Sequence, residues 1–243
     1  MTVQIVSVLR SGGDFNPGHF FDLRSSIKRT NPTALDPILL TDCAIPGNAL
    51  VHDWPGWWSK FEVFALPGNV LFLDLDTVVC GDLSPLLNFI EFELPPRVLL
   101  MLEDFYRPGR AASGIMGWNS GALGFPFYEK FLGMDINGGR FSLPMGGKEQ
   151  FTPGRTSKVF RGDQNLIPEI ARSVGWEIYQ ARPGDKFGIY SYKKHVLSQS
   201  KHAIGPPPGA AVVCFHGQPR PWDVDPLPDW IREAWGRLPL GEV

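Results

Sequence analysis

The feature that most constrains this chain is an alternation confined to its first hundred residues. Short apolar runs at 3–9, 38–41, 70–73 and 97–102 are separated by stretches with helical spacing. The run at 70–73, Val70-Leu71-Phe72-Leu73, is apolar at every position, so both of its faces must be covered, as in a parallel sheet with helices on each side. Between the first two runs, Asn16-Pro17 offers an N-cap with proline in the first helical position, followed by Phe20, Leu23 and Ile27. Trp57, Phe61 and Phe64 form a second helical stripe closed by Pro67-Gly68, and Ser84-Pro85 opens a third helix. Strand followed by helix, repeated in this way, predicts a nucleotide-binding α/β sheet.

Beyond about Asp104 the alternation fails. Glycine 27 and proline 23 make up about a fifth of the chain without periodicity, concentrated at 133–154, which predicts long ordered loops. Residues 122–125, 176–179, 187–192 and 211–215 are candidate strands, and 230–235 is a closing helix after Asp229. At 243 residues the chain suits one compact domain over 1–243. Lys plus Arg is 23 and Asp plus Glu is 25, which excludes a nucleic-acid groove built on bulk charge. Apolar stretches of about four to six residues are too short to span a bilayer. Met1-Thr2-Val3-Gln4-Ile5-Val6 reads as a first strand rather than a signal peptide, so the expected location is cytoplasmic. Cys43, Cys80 and Cys214 form neither a disulfide framework nor a CxxC knuckle and read as small core residues.

The segment richest in chemistry is Leu73-Asp74-Leu75-Asp76-Thr77, at the carboxyl end of the third strand, where open α/β sheets bind ligands. If the chain stays extended there, Asp74 and Asp76 point the same way and present two carboxylates to one hard cation, Mg²⁺ or Mn²⁺. An Asp-x-Asp tripeptide that only ends a strand and caps a turn has the same sequence. His216 ends the apolar run Val212-Val213-Cys214-Phe215 and precedes Gly217-Gln218-Pro219-Arg220-Pro221-Trp222. Imidazole is an acceptable third ligand for Mn²⁺, the glycine allows close approach of a phosphate, and the arginine can chelate its oxygens. A lone histidine in a proline-rich turn is the alternative.

Taken together these residues resemble the GT-A glycosyltransferases, and among them the glycogenin-like family 8. Trp57-Trp58-Ser59-Lys60-Phe61, the DxD strand from Val70 to Val78, and Gly81-Asp82-Leu83 are similar to that family's helix, metal strand and following turn. Trp118-Asn119-Ser120-Gly121 is similar to its Asn-(Ser/Ala)-Gly strand, and Asp163-Gln164 to its Asp-Gln pair. His216-Gly217 through Arg220-Pro221-Trp222 resembles its C-terminal His-x-x-Gly-x-x-Lys-Pro-Trp element, two residues shorter and with arginine for lysine.

The resemblance implies a mostly parallel, Rossmann-like central sheet flanked by helices, with a loop-rich C-terminal half. Residues 1–105 would be the nucleotide-sugar-binding half, and 106–243 the acceptor-side half carrying the metal and phosphate element. Asp74, Asp76 and His216 would hold the metal, with Leu75, Gly217 and Arg220 beside the diphosphate of a UDP-sugar donor. A metal and Arg220 would stabilise the charge left on the β-phosphate more in the transition state than in the ground state. Arg10, Gly12 and Asp14 follow the first strand, where the family's nucleoside sits, although a plain turn explains the glycines equally well. Lys60 corresponds to the family's basic residue near the donor sugar, or is a solvated helix lysine. Asp104 would accept hydrogen bonds from sugar hydroxyls, Asn119 would orient sugar or acceptor, and Asp163 and Gln164 would lie near the anomeric carbon. Asp163 as a helix cap is equally open. The acceptor, whether carbohydrate, lipid or protein, is not legible, and the family implies retention at the anomeric carbon.

Two other functions fit parts of the sequence. Asp74-Leu75-Asp76-Thr77-Val78-Val79 matches the first motif of the haloacid dehalogenase superfamily, whose first Asp is a nucleophile in Mg²⁺-dependent phosphoryl transfer, with Arg161-Gly162-Asp163-Gln164 a partial later match. That motif usually ends the first core strand, whereas two strands and a helix precede it here. A transferase-like protein that binds carbohydrate without turnover is the third.

Overall fold

A computed structural model describes residues 3–119, 125–132, 135–137, 140–142, 159–160, 162–198 and 205–237. In chain order the elements are β1 (Gln4–Leu9), α1 (Pro17–Thr30), β2 (Ile38–Thr41), β3 (Asn48–Ala49), a 3₁₀ helix (Gly56–Ala65), β4 (Val70–Leu73), β5 (Thr77–Val79) and α2 (Ser84–Asn88). There follow β6 (Val98–Glu103), β7 (Ala111–Trp118), α3 (Phe125–Leu132), β8 (Asp135–Asn137), β9 (Arg140–Ser142) and β10 (Val159–Phe160). The chain closes with α4 (Asp163–Ser173), β11 (Glu177–Ala181), β12 (Ile189–Ser191), β13 (Val212–Cys214) and α5 (Asp229–Ala234).

The central sheet runs β11-β6-β7-β4-β1-β2-β3. Every neighbouring pair is parallel except those of β7, which is antiparallel to both β4 and β6. The carboxyl ends of β1, β4 and β6 therefore share one edge with the amino end of β7. A small sheet, β12-β13-β5, takes over where β4 ends, and Asp76 O accepts from Phe215 N at 2.9 Å, which extends the β5–β13 pairing back toward β4.

As expected, β4 is covered on both faces: Leu71 and Leu73 pack with α1 and α2 residues, Val70 and Phe72 with the 3₁₀ helix and α4. Each such side chain contributes roughly 1.5–3 kcal/mol of apolar burial, which pins the strand that delivers the acids. β7 passes close beneath Ile90, because a Cβ on Gly117 would lie 2.6 Å from Ile90 Cδ1.

Several expectations change. The second helical stripe is a 3₁₀ helix buried at every position from Trp58 to Phe64, so Trp58 joins Phe61 and Phe64 in the core and Trp57 is exposed in the first turn. Residues 122–124 and most of 133–154 lie outside the described residues, and Phe125 begins α3 rather than ending a strand. The remaining candidate strands and the closing helix appear with shifted ends. All three cysteines are unpaired. No helix among the described residues is long and apolar enough to cross a membrane.

Candidate active site

The shared sheet edge opens into a cavity of about 810 Å³. β1 delivers Arg10 and the following turn Gly12 and Asp14; the end of β4 delivers Asp74 and Asp76; the end of β6 delivers Asp104. Lys60 enters from the 3₁₀ helix, Asp163 and Gln164 from the first turn of α4, and His216, Gly217 and Arg220 from the loop after β13. The carboxylates do not converge by strand alternation. The chain leaves β4 at Leu73 and turns through Leu75 and Asp76 into β5, and this turn brings both acids to one cavity while Leu75 is buried in the core.

On one side of the cavity lies a closed ionic cluster. Lys60 Nζ stands 2.7 Å from Asp163 Oδ2 and 3.0 Å from Asp74 Oδ1. The Ser113 hydroxyl donates to Asp163 Oδ2 at 2.7 Å, and the Lys60 ammonium also reaches Ser113 O at 3.4 Å. Burial alone would drive the lysine toward its neutral form, yet Asp163 and Asp74 together hold it more firmly protonated than a free lysine. Burial likewise opposes ionisation of Asp163, but Lys60 and Ser113 prevail and keep its carboxyl below the ordinary range. At Asp74 burial prevails over Lys60, and the neighbouring Asp163 charge adds to it, so this carboxyl is pushed up. Ser113 was not apparent in the sequence. Its one signal is the small-residue run Ala112-Ser113-Gly114 opening an otherwise apolar strand.

The other side is less saturated. Asp76, 8% exposed, is paired with Arg220 Nη1, whose other terminal nitrogen lies 3.6 Å from Asp14 Oδ2. Even with that guanidinium beside it, burial and the Asp74 charge push the Asp76 carboxyl up to about 7. Arg220 Nε is buried without a hydrogen-bond partner among the described residues. The guanidinium rests over Phe15 at 5.1 Å, and Phe15 meets Trp222 edge-on, Trp222 in turn stacking on His19 at 3.4 Å. Gly217 has φ +69°, a left-handed conformation that glycine takes without strain, and it turns the loop from His216 toward Arg220.

The predicted residues separate into those gathered here and those elsewhere. His216 lines the cavity, but its Nε2 is 2.7 Å from Ser191 Oγ and its ring stacks on Phe105 at 5.2 Å. Burial, then Lys193, keeps it neutral to lower pH than a free histidine. Arg10 lines the cavity paired with Asp42 and Asp53. Asp104 accepts from the backbone of Tyr106 at 2.9 Å and Arg107 at 3.2 Å. Gly162 is the N-cap of α4 and Asp163 its first residue. Asn119 is not at the cavity. It lies beyond the carboxyl end of β7, which is the opposite sheet edge because β7 runs antiparallel to β4, and its amide donates to Leu94 O. Ser120 and Gly121 lie outside the described residues.

Among the described residues no three His, Cys, Asp or Glu side chains stand together as a metal-holding group. Asp74 and Asp76 nevertheless fit a divalent cation as a pair: two carboxylates on one cavity, Asp76 buried and Asp74 partly exposed, with the Asp74 charge raising the cost of ionising Asp76. His216 is turned to Ser191 and does not complete them.

The chain matches no family model and no curated protein. Its fold is that of solved glycosyltransferases. The glycosyltransferase GlyE of Streptococcus pneumoniae TIGR4 is similar with a TM-score of 0.61 and 16% identity, over 96% of this chain and 60% of its own. The bifunctional glycosyltransferase WbbM gives 0.58 and 13%, over 98% and 50%. The galactosyltransferase LgtC, solved with donor and acceptor sugar analogs, gives 0.54 and 13%, over 98% of both chains. The chain thus spans about 60% of GlyE and 50% of WbbM. With its mixed seven-stranded sheet flanked by helices, this chain has the GT-A fold of these glycosyltransferases.

Proposed function

We propose that this protein is a cytoplasmic, metal-dependent glycosyltransferase of the glycogenin-like family 8 group, which moves a sugar from a UDP-sugar to an acceptor with retention at the anomeric carbon. One observation carries the reading. Residues of three sequence elements far apart in the chain, Asp74 and Asp76, Asp163 and Gln164, and His216, Gly217 and Arg220, line one cavity at the sheet edge, together with the 10–14 turn and Lys60. A phosphatase reading is not favoured: Asp74, its required nucleophile, is held by Lys60, and the fold is that of glycosyltransferases.

The diphosphate would lie along Asp74, Asp76 and Gly217. A divalent cation held by Asp74 and Asp76, which His216 could join as third ligand only on leaving Ser191, would supply charge to the departing diphosphate. Arg220, released from Asp76, donates to a β-phosphate oxygen and gives its Nε the acceptor it lacks. The bond from the anomeric carbon to that oxygen breaks, a bond to the acceptor hydroxyl oxygen forms, and the hydroxyl proton leaves with the diphosphate. Asp163, kept ionised by Lys60 and Ser113, stabilises positive charge developing at the anomeric carbon. Asp104 accepts from a sugar hydroxyl, and Gln164 faces the same sugar. Arg10, Gly12 and Asp14 bound the nucleoside.

Thermal melting tests this directly. UDP with Mn²⁺ should raise the midpoint by several degrees, since a ligand at one hundred times its Kd stabilises by roughly 2.7 kcal/mol. UDP with chelator should raise it little, and Arg220→Ala should shrink the UDP shift while Mn²⁺ still binds. No metal-dependent shift with any nucleoside diphosphate would overturn the reading.

A further inference from the structure

Two exposed aromatic rings stand in the cavity wall. Trp57 and Tyr106 are each 57% exposed, and both line the same cavity, one from the 3₁₀ helix and one from the β6–β7 turn. Leaving an indole in water forgoes the apolar burial that its neighbour Trp58, 3% exposed, obtains. Trp57 is left out in the exposed first turn of the helix, whereas every residue from Trp58 to Phe64 is buried. Residues three apart eclipse one another in a 3₁₀ helix, so Trp57 shares a face with Lys60, one turn or roughly 6 Å along the axis. Lys60 is buried against Asp74 and Asp163. That face therefore runs from the ionic cluster outward to a bare indole. Tyr106 lines the same cavity from the β6–β7 turn, where its N–H donates to Asp104 and its ring meets His216 edge-on at 5.2 Å.

Polar side chains share the cavity with these rings: Gln164, Arg107, Arg10 and Asp14 line it. Isolated aromatic faces among amide and guanidinium donors suit a molecule with one C–H face and an edge of hydroxyls. We propose that Trp57 and Tyr106 form an acceptor platform for a sugar ring, which stacks its C–H face on Trp57 and turns its hydroxyls toward Gln164 and Arg107. The acceptor is then a glycan end rather than a lipid or a protein side chain. This rests on the glycosyl-transfer reading, in which the donor occupies the depth of the cavity and the acceptor arrives from solvent.

Saturation-transfer NMR on the UDP–Mn²⁺ complex tests the platform, using methyl glycosides of glucose, galactose, mannose, N-acetylglucosamine and N-acetylgalactosamine, and n-octyl glucoside below its micellar concentration. At least one glycoside should receive saturation on its ring protons. Trp57→Ala or Tyr106→Ala should weaken that binding about tenfold, and Trp57→Phe should restore part of it. Both side chains are mostly exposed, so the variants should keep the wild-type melting point and their UDP–Mn²⁺ shift. Saturation confined to the octyl chain, no glycoside binding, or binding unchanged in both alanine variants would each overturn the platform. Failure of UDP to shift the wild-type melting point would instead remove the donor reading and leave the glycoside result to stand on its own.

Discussion

Asp74 and Asp76 are two residues apart and face one cavity, yet the cations beside them are held in different ways. Lys60 grows from a helix whose other side, Trp58, Phe61 and Phe64, is locked in the core, and its ammonium is shared between Asp74 and Asp163 with Ser113 closing the group. Arg220 comes from a loop, leans on Phe15, shares Asp14, whose side chain is mostly exposed, and keeps one buried nitrogen unsatisfied. A saturated buried cluster cannot exchange partners without stranding a charge, so it serves as fixed geometry. An unsaturated pair can trade one anion for another, which is what admission of a diphosphate requires.

The sharpest way to break this contrast is to remove each cation. Lys60→Met strands Asp74 and Asp163 and should cost about 3–5 kcal/mol in urea unfolding. Arg220→Met should cost about 1 kcal/mol, because Asp76 can take up a proton near pH 7 instead of remaining as a bare anion. Equal losses would mean that the two ends are not different in kind. Next in size, Asp74→Asn or Asp76→Asn should reduce metal-dependent release of UDP from its sugar donor by about a hundredfold, with the fold retained in circular dichroism. Normal turnover in a chelated assay would end the metal assignment.

The same contrast accounts for what could be read from the chain. The rigid parts were legible because continuous apolar strands and capped helices declare themselves locally: β1, α1 with its Asn16 cap, β2, β4 and β6 appear close to their expected limits. β7 was not, since Ala112, Ser113, Gly114 and Gly117 give it no β-rich signature. Its antiparallel course was also invisible, and that course carries Asn119 to the far edge and Ser113 to the site. The helical stripe is out by one residue because spacing does not show where the helix leaves the core: burial is continuous from Trp58 to Phe64, and Trp57, in the exposed first turn, is the tryptophan that lines the cavity. Residue types at the site were readable; their partners were not, because Lys60–Asp163 and Asp76–Arg220 join segments 103 and 144 residues apart.

The smallest expected effect lies behind the exchangeable end. His19 stacks on Trp222, and as the third residue of α1 it accepts from the Asn16 backbone N–H at 3.1 Å through Nδ1. Burial depresses its pKa from the ordinary 6.5, partly offset by Asp22 and Asp223 and reinforced by Arg237 and Arg220. The sign follows from proton uptake: below pH 6.5 the unfolded chain binds a proton that the folded chain resists, so the contribution is complete above 6.5 and is lost as pH falls toward the depressed value. Protonation would also end the Nδ1 acceptor role and place a second cation near Arg220. Glutamine at this position retains the capping contact without titrating. His19→Gln should therefore leave the melting point near pH 8 almost unchanged and, near pH 5.5, make it fall about 1–3 °C less than wild type. His195 and His216, also depressed, should leave most of the acid sensitivity in place. If His19→Gln melts lower than wild type by the same amount at both pH values, His19 contributes only stacking, and the support behind Arg220 does not titrate.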